Sequence, residues 1–261
     1  MSFIKSPEEI KILREGGKRL AYILRVVGEK AVAGVSTEEL NTLAQKLTED
    51  GGDVPAFLNY SPGGGARPYP ASLCVSINDE IVHGIPNESK RILKEGDIVS
   101  LDMGIIHKGL VTDSAITVGV GVIDNKAQRL IDATRHALFA GIDVARDGVN
   151  VAKIGAAVED FAHDSRFSVA EELGGHGVGH EVHEDPFIPN YRIAGKQSRL
   201  MTGMVIAIEP MLCEGKGKIK FDNDGWTIKT SDGKRAAHFE HTIVITDEGS
   251  EILTQEDEVK S

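Results

Sequence analysis

The chain has 261 residues, 41% of them hydrophobic, and carries a formal net charge of -11, with 29 Lys and Arg against 40 Asp and Glu. Such a length supports a substantial core in one large domain or two small ones, and the acidic balance argues against a protein that coats nucleic acid or anionic membrane. No apolar run approaches the ~18 residues of a spanning helix, the start MSFIKSPEEI lacks the apolar stretch of a signal peptide, and two cysteines are too few for a disulfide framework; a soluble, cytoplasmic protein is expected.

Ser6-Pro7-Glu8-Glu9 reads as a helix start with proline at the first helical position, and Ile10, Leu13, Gly17, Leu20 and Ile23-Leu24 continue an apolar stripe. Ser36-Thr37-Glu38-Glu39 caps a second helix through Leu40, Leu43 and Leu47. Between Asn59 and Pro86 lies a loop-rich stretch. Its Gly63-Gly64-Gly65 is followed by no Gly-Lys-Ser/Thr and no helix start, so it reads as a flexible surface loop, not a phosphate cradle. His83, where a strand meets a turn, reads on the residues alone as structural.

The stretch from Leu93 to Val118 predicts an antiparallel hairpin. Val99, Leu101, Met103 and Ile105 alternate with Ser100, Asp102 and Gly104. A turn centred between His107 and Lys108 sets Asp102 opposite Asp113, close enough to repel unless a cation lies between them. The bland alternative, one aspartate in a turn and one on a solvated edge, is weakened by a second copy. Leu93-x-x-Gly96 with Asp102 recurs as Leu200-x-x-Gly203 with Glu209, and Asp113 with its following apolar residues matches Glu240-His-Thr-Ile-Val-Ile.

Helices repeat as well. Asn125 to Val144 is amphipathic, and Gly148-Val149-Asn150 introduces a helix through Ile154 and Val158 as Gly34-Val35-Ser36 does earlier. Two helices followed by strands in each half define an α+β fold, one domain over residues 1–254 with a disordered tail over 255–261.

The segment Gly174 to Glu184 holds His176, His180 and His183. His180-Glu-Val-His183 is one residue short of the H-E-x-x-H zinc helix, and four glycines in six residues oppose helix formation, so that reading is rejected. In an extended Gly-rich segment His176 and His183 approach one site, the alternative being surface histidines in a turn. Asp102, Asp113, Glu209, Glu240 and His176 then form a set of hard oxygen donors with one imidazole. Two divalent ions, with Mn, Fe, Co or Zn favoured over Ca, balance its charge better than one. The chemistry leaves open hydrolysis of peptides, phosphoesters or other amides.

Tyr69-Pro70-Ala-Ser-Leu-Cys74-Val-Ser-Ile-Asn78, His83-Gly-Ile-Pro86, Asp102 with Asp113, Gly175-His176-Gly-Val-Gly179, His183-Glu184, Ile208-Glu209-Pro210, Asp224-Gly225-Trp226 and Glu240-His241-Thr242 together resemble the type I methionine aminopeptidases of the short bacterial kind, within the pita-bread metallopeptidase group. The resemblance covers essentially the whole chain. It implies a pseudo-twofold pita-bread fold around an antiparallel sheet, and two divalent metal ions (Co, Mn, Fe or Zn). Asp102 would chelate one ion, Asp113 and Glu240 would bridge both, and His176 and Glu209 would complete the other. His83 and His183 would hold the substrate and stabilise the tetrahedral intermediate, Glu209 would handle the proton, and Tyr69, Cys74, His83 and Trp226 would enclose a methionine side chain. The implied substrate is the N-terminus of a nascent polypeptide with a small second residue, processed by a monomer with no DNA or membrane partner. Two features depart from the family pattern: the Ser61 to Arg67 stretch is longer, and Val182 and His180 stand where an aromatic and an arginine are common. Rival readings are a prolidase, which shares the five ligands, and a non-catalytic binding module, which would have lost some.

Lys216, Lys218, Lys220, Lys229, Lys234 and Arg235 gather within twenty residues. On an extended strand the first three share a face, either as protection of a sheet edge or as a transient cationic contact with ribosomal RNA.

Overall fold

The computed structural model describes residues 3–62 and 67–256. Gly63-Gly64-Gly65, read above as a surface loop, and residues 257–261 of the expected tail lie outside the described residues. Of that tail, Glu256 is described and accepts from Arg25 Nε at 2.7 Å.

The first half comprises α1 (Pro7–Lys30), α2 (Thr37–Asp50), β1 (Val54–Pro55), β2 (Cys74–Ile77), β3 (Glu80–Val82), β4 (Ile98–His107) and β5 (Leu110–Gly119). The second begins with α3 (Asn125–Val144), α4 (Ala152–Asp164), β6 (Ser168–Val169), β7 (Gly174–Gly177), β8 (Glu184–Pro189) and β9 (Val205–Ile208). It continues through β10 (Met211–Cys213), β11 (Ile219–Phe221), β12 (Ile228–Thr230), β13 (Ala236–His238), β14 (Glu240–Thr246) and β15 (Gly249–Ile252). Nine strands form one sheet in the order β1-β4-β5-β14-β9-β7-β8, with β15 on β14 and β2 on β4; β13-β10-β6 and β11-β12-β3 form two smaller sheets.

Both expected first-half helices begin with full capping boxes. The Ser6 hydroxyl accepts from Glu9 N while the Glu9 carboxylate accepts from Ser6 N, and Ser36 with Glu39 does the same. Two orphan amides at each start are thereby satisfied. The stripe Leu13, Leu20, Ile23, Leu24 and Val27 of α1 is buried against β4 and β5, each large aliphatic contributing about 1.5–3 kcal/mol. The fourth helix starts differently from the second. Its N-cap is Val151, which offers no side-chain cap, and Asn150 Oδ1 instead accepts from Ala152 N at 2.9 Å.

The internal repeat is a structural one. Gly34 N donates to Leu93 O and Leu93 N to Val35 O; in the second half Gly148 N donates to Leu200 O and Leu200 N to Val149 O. The two turn glycines that follow, Gly96 and Gly203, have φ of 89° and 87°, a region costly for residues with a Cβ. After each glycine the chain enters an inner strand that brings an acidic residue to the sheet centre, Asp102 in the middle of β4 and Glu209 directly after β9. Each half has its own apolar core, one built on α1, α2, β2 and β4 and one on α3, α4, β9 and β14.

The hairpin register corrects the expected one. His107 pairs with Leu110, so the turn is the two-residue Lys108-Gly109, with φ of 49° and 84°. Such loops need positive φ at both central positions. Asp102 therefore lies opposite Ala115, and Gly104 opposite Asp113. The two aspartates are diagonal neighbours on one face instead of a direct pair. The lysine cluster also differs: only Lys220 of the three alternating lysines lies in β11, because Gly217, at φ 72°, interrupts the extended backbone before it. Among the described residues no helix is long and apolar enough to cross a membrane, and Cys74 and Cys213 are both buried free thiols.

Candidate metal centre and substrate cavity

Asp102 and Asp113 come from the middle of β4 and β5, Glu240 opens β14, Glu209 follows β9, and His176 lies in β7. These strands are neighbours in the large sheet, so five residues far apart in sequence meet at its centre. Threonine clasps fix the join between β5 and β14. Thr242 Oγ1 accepts from Asp113 N at 3.0 Å and donates to Asp113 O at 2.7 Å, and Ser114 Oγ donates to Glu240 O at 2.7 Å.

Glycine lets β7 reach this point. A Cβ on Gly175 would lie 2.1 Å from Ala207 O, and one on Gly177 would lie 2.3 Å from Asp185 O. His176, between them, is carried close to β9, where its Nε2 lies 3.5 Å from Glu209 Oε1. The following residues bend back instead of forming a helix, and the His176 and His183 ring centroids are 4.3 Å apart; the two rings meet as expected, but through a bend after Gly177 and not along an extended segment. Tyr60 Oη and His183 Nδ1 share a hydrogen bond of 2.6 Å.

Asp102, Asp113, His176, Glu209 and Glu240 line a cavity of about 460 Å³ together with Phe57, Tyr60, Pro62, Tyr69, Cys74, His83, His183 and Trp226. Every residue singled out from the sequence for metal, substrate or catalysis faces this one space. Cys74 is the partner of Asp102 across β2 and β4. His83 has φ of 59° and is placed by the next residue: Gly84 N donates to Ser76 Oγ, Gly84 O accepts from Val75 N, and a Cβ there would meet Val75 O at 2.3 Å. Trp226 is set by Asp224, whose carboxylate accepts from the backbone of Trp226 and Thr227, and its ring meets Tyr69 and His83 edge-on at 5.2 and 5.9 Å. Tyr69 Oη donates to Gly84 O at 3.0 Å.

Val182 and His180 do not line the cavity. Val182 joins the first core, and His180 Nε2 shares a 2.7 Å hydrogen bond with Glu9 Oε1. The residues that sequence reasoning missed are Phe57, Tyr60, Pro62 and His238. His238 is buried behind Glu209, its Nε2 3.6 Å from Glu209 Oε2. The period of an extended segment was the available signal, since His238 and Glu240 are two residues apart and share a face.

The site gathers four buried carboxyl groups, Asp102, Asp113, Glu209 and Glu240. Burial, aided by mutual repulsion, raises the pKa of Asp102, Glu209 and Glu240 well above the carboxylate range, and burial pushes Asp113 up to about 7. Burial also holds His176 down at about 3 and His83 at about 4, with His183 lowered for the same reason. Neutral imidazoles are the form that ligates metals. Asp102 Oδ1, Asp113 Oδ1 and Glu240 Oε1 are buried with no hydrogen-bond partner among the described residues. Donor atoms of Asp113, His176 and Glu240 all lie within 4.8 Å of one another. Unpaired buried carboxylate oxygens are costly unless a cation meets them, so this donor set fits divalent metal.

A curled antiparallel sheet flanked by paired helices, with acids and imidazoles converging at its centre, defines a pita-bread metallohydrolase. The chain belongs to metallopeptidase family M24, whose model matches residues 11–247. It is 48% identical to the methionine aminopeptidase of Aquifex aeolicus over 252 residues, covering 96% of this chain and 97% of the relative. The crystal structure of the methionine aminopeptidase from Thermotoga maritima superposes with a TM-score of 0.91 at 42% identity, covering 97% and 99% of the two chains. A Xaa-Pro dipeptidase from Bacillus anthracis shares the fold, with a TM-score of 0.77 at 22% identity; the match covers 98% of this chain but 62% of that one. The protein is accordingly a metal-dependent exopeptidase.

Proposed function

We propose that the protein removes the N-terminal methionine from nascent polypeptides in the cytoplasm, preferring a small second residue, and that it acts as a monomer with two divalent ions. The observation that carries this reading is one cavity with two kinds of wall: the carboxylate and imidazole cage on one side, and Phe57, Tyr69, Cys74 and Trp226 on the other. The apolar wall suits an unbranched thioether. By the family resemblance, Asp102, Asp113, His176, Glu209 and Glu240 would together hold the ions.

These five residues would hold divalent ions, which when bound would supply Lewis acidity toward the scissile carbonyl and neutralise the cage. Glu209, beside that carbonyl, takes the proton from the attacking water and returns it to the departing amine. When Tyr60 Oη donates to His183 Nδ1, the neutral His183 ring keeps its proton on Nε2, facing the cavity. It can then donate to the oxygen on which charge develops in the transition state. His83, neutral and held by the Gly84 anchor, binds the substrate backbone from the side of Trp226.

The test is peptide cleavage after chelation and metal return. Met-Ala-Ser should be cleaved only with metal restored, and much faster than Leu-Ala-Ser, because the pocket selects by shape within about 1–3 kcal/mol per methylene. Equal cleavage of the two peptides refutes the pocket assignment, and preferential cleavage of Xaa-Pro peptides supports the prolidase reading. A transient ribosome contact through the exposed Lys216, Lys218 and Lys220 is part of the same proposal. Changing all three to Glu should leave tripeptide cleavage intact and reduce co-sedimentation with ribosomes at low salt. Unchanged sedimentation makes them edge protection for β11, which pairs only with β12 among the described residues.

A further inference from the structure

His238 ends β13, where it pairs with Met211 of β10. Its backbone is held on both sides by one hydroxyl: Thr117 Oγ1 accepts from His238 N at 2.9 Å and donates to His238 O at 2.7 Å. Ser100 Oγ lies 2.8 Å from the same Thr117 oxygen, anchoring the clasp to β4. With both backbone groups fixed, the direction of the side chain is fixed too, toward the face that carries Glu240.

The imidazole is 1% exposed, and neither ring nitrogen has a hydrogen-bond partner among the described residues. Leaving a buried polar ring unpaired costs about 1–3 kcal/mol, and a leucine could fill the space without that cost. Glu209 explains the choice of residue. Its carboxylate lies between two imidazoles, Oε1 at 3.5 Å from His176 Nε2 and Oε2 at 3.6 Å from His238 Nε2. Closing the second separation by about 0.4 Å brings it into hydrogen-bond range. A neutral imidazole carries one N–H, and the ring nitrogen that lies beside the Glu209 carboxylate is Nε2. The Glu209 backbone is held by Asn190, whose Nδ2 donates to its carbonyl at 2.8 Å.

We propose that His238 is a positioning residue for Glu209: it carries its proton on Nε2 and donates it to Oε2, holding the carboxylate plane so that Oε1 faces His176 and the cation site. The role rests on the reading of Glu209 as a metal ligand and proton carrier. His238 itself touches neither substrate nor metal. Residues that orient a ligand in this way typically contribute 10–100-fold in metal affinity or activity.

The experiment compares the parent, His238→Leu and His238→Gln, each chelated and then titrated calorimetrically with Mn²⁺, with peptide kinetics and thermal unfolding of the metal-free forms. The leucine variant should bind Mn²⁺ about 10–100-fold more weakly and lose kcat with little change in KM. Its metal-free form should unfold cooperatively as the parent does, so that the weaker affinity reads as lost positioning and not as lost fold. Glutamine, whose amide N–H can reach the same oxygen, should restore most of the affinity. If the leucine variant binds Mn²⁺ and turns over as the parent does, or if glutamine fails as badly as leucine, the hydrogen-bond role is refuted. A parent that binds no Mn²⁺ overturns the metal-site reading itself.

Discussion

Gly175→Ala is the substitution that best separates backbone packing from ligand chemistry, because it removes no donor atom. The new Cβ would lie 2.1 Å from Ala207 O, about 0.9 Å inside the 3.0 Å limit that real Cβ contacts respect, and the obstacle is backbone. Strands β7 and β9 must therefore part by roughly 1 Å. His176 follows Gly175 directly and Glu209 lies two residues beyond Ala207, so their 3.5 Å approach opens by a comparable amount. A misplacement of about 1 Å in a catalytic constellation costs roughly 100-fold, or about 2.7 kcal/mol. The assay is kcat/KM on Met-Ala-Ser with saturating metal, alongside calorimetric metal affinity and a far-ultraviolet spectrum to confirm folding. A folded variant within threefold of the parent in both measurements would refute the claim that close strand packing sets the His176 to Glu209 geometry.

Three other outcomes follow from the same site. Glu240→Ala should bind fewer ions than the parent and lose more than the ~100-fold typical of residues that merely support a ligand; two bound ions with near-parental turnover would contradict its shared role. His183→Ala should lower kcat by about 10²–10³-fold, the effect of removing one donor to a developing oxyanion, with metal content unchanged; metal loss would instead make His183 a ligand. The metal-free protein should lose stability as pH rises from 7.5 to 8.5. In that range the histidines, lowered to about 3 and 4 in the folded state, are almost wholly neutral in the unfolded state too, whereas the raised Asp102, Glu209 and Glu240 bind protons in the folded state that the unfolded state has already released. The unfolded chain thus holds fewer protons, so stability falls with pH. Thermal unfolding with and without Mn²⁺ checks this: the metal-free Tm should fall and the stabilisation by metal should grow, and a flat metal-free profile would contradict it.

Much of this site was legible because its signals are local. Capping boxes at Ser6 and Ser36 mark helix starts, and the matched Leu-x-x-Gly segments reappear as matched hydrogen bonds through Leu93 and Leu200. The residues that escaped are those whose environment is made by distant chain. His83 reads as structural until Gly84 packs on Val75 and turns it over the cavity. Tyr60 stands before a Gly-rich stretch with no motif of its own, yet its hydroxyl meets His183, 123 positions away. The hairpin turn was misplaced because the alternation of Asp102 and Asp113 is satisfied by either register. Only the positive φ needed at Lys108-Gly109 distinguishes them, and a Lys-Gly pair is a weaker marker of that than Asn-Gly.

The central claim is that five buried side chains hold the catalytic metal. Anomalous diffraction from crystals grown with Mn²⁺ tests it most directly. The account predicts two peaks about 3.5–4 Å apart, enclosed by Asp102, Asp113, His176, Glu209 and Glu240. Crystals showing active, metal-dependent protein with no peak among these residues, or with the ion bound elsewhere, would contradict it.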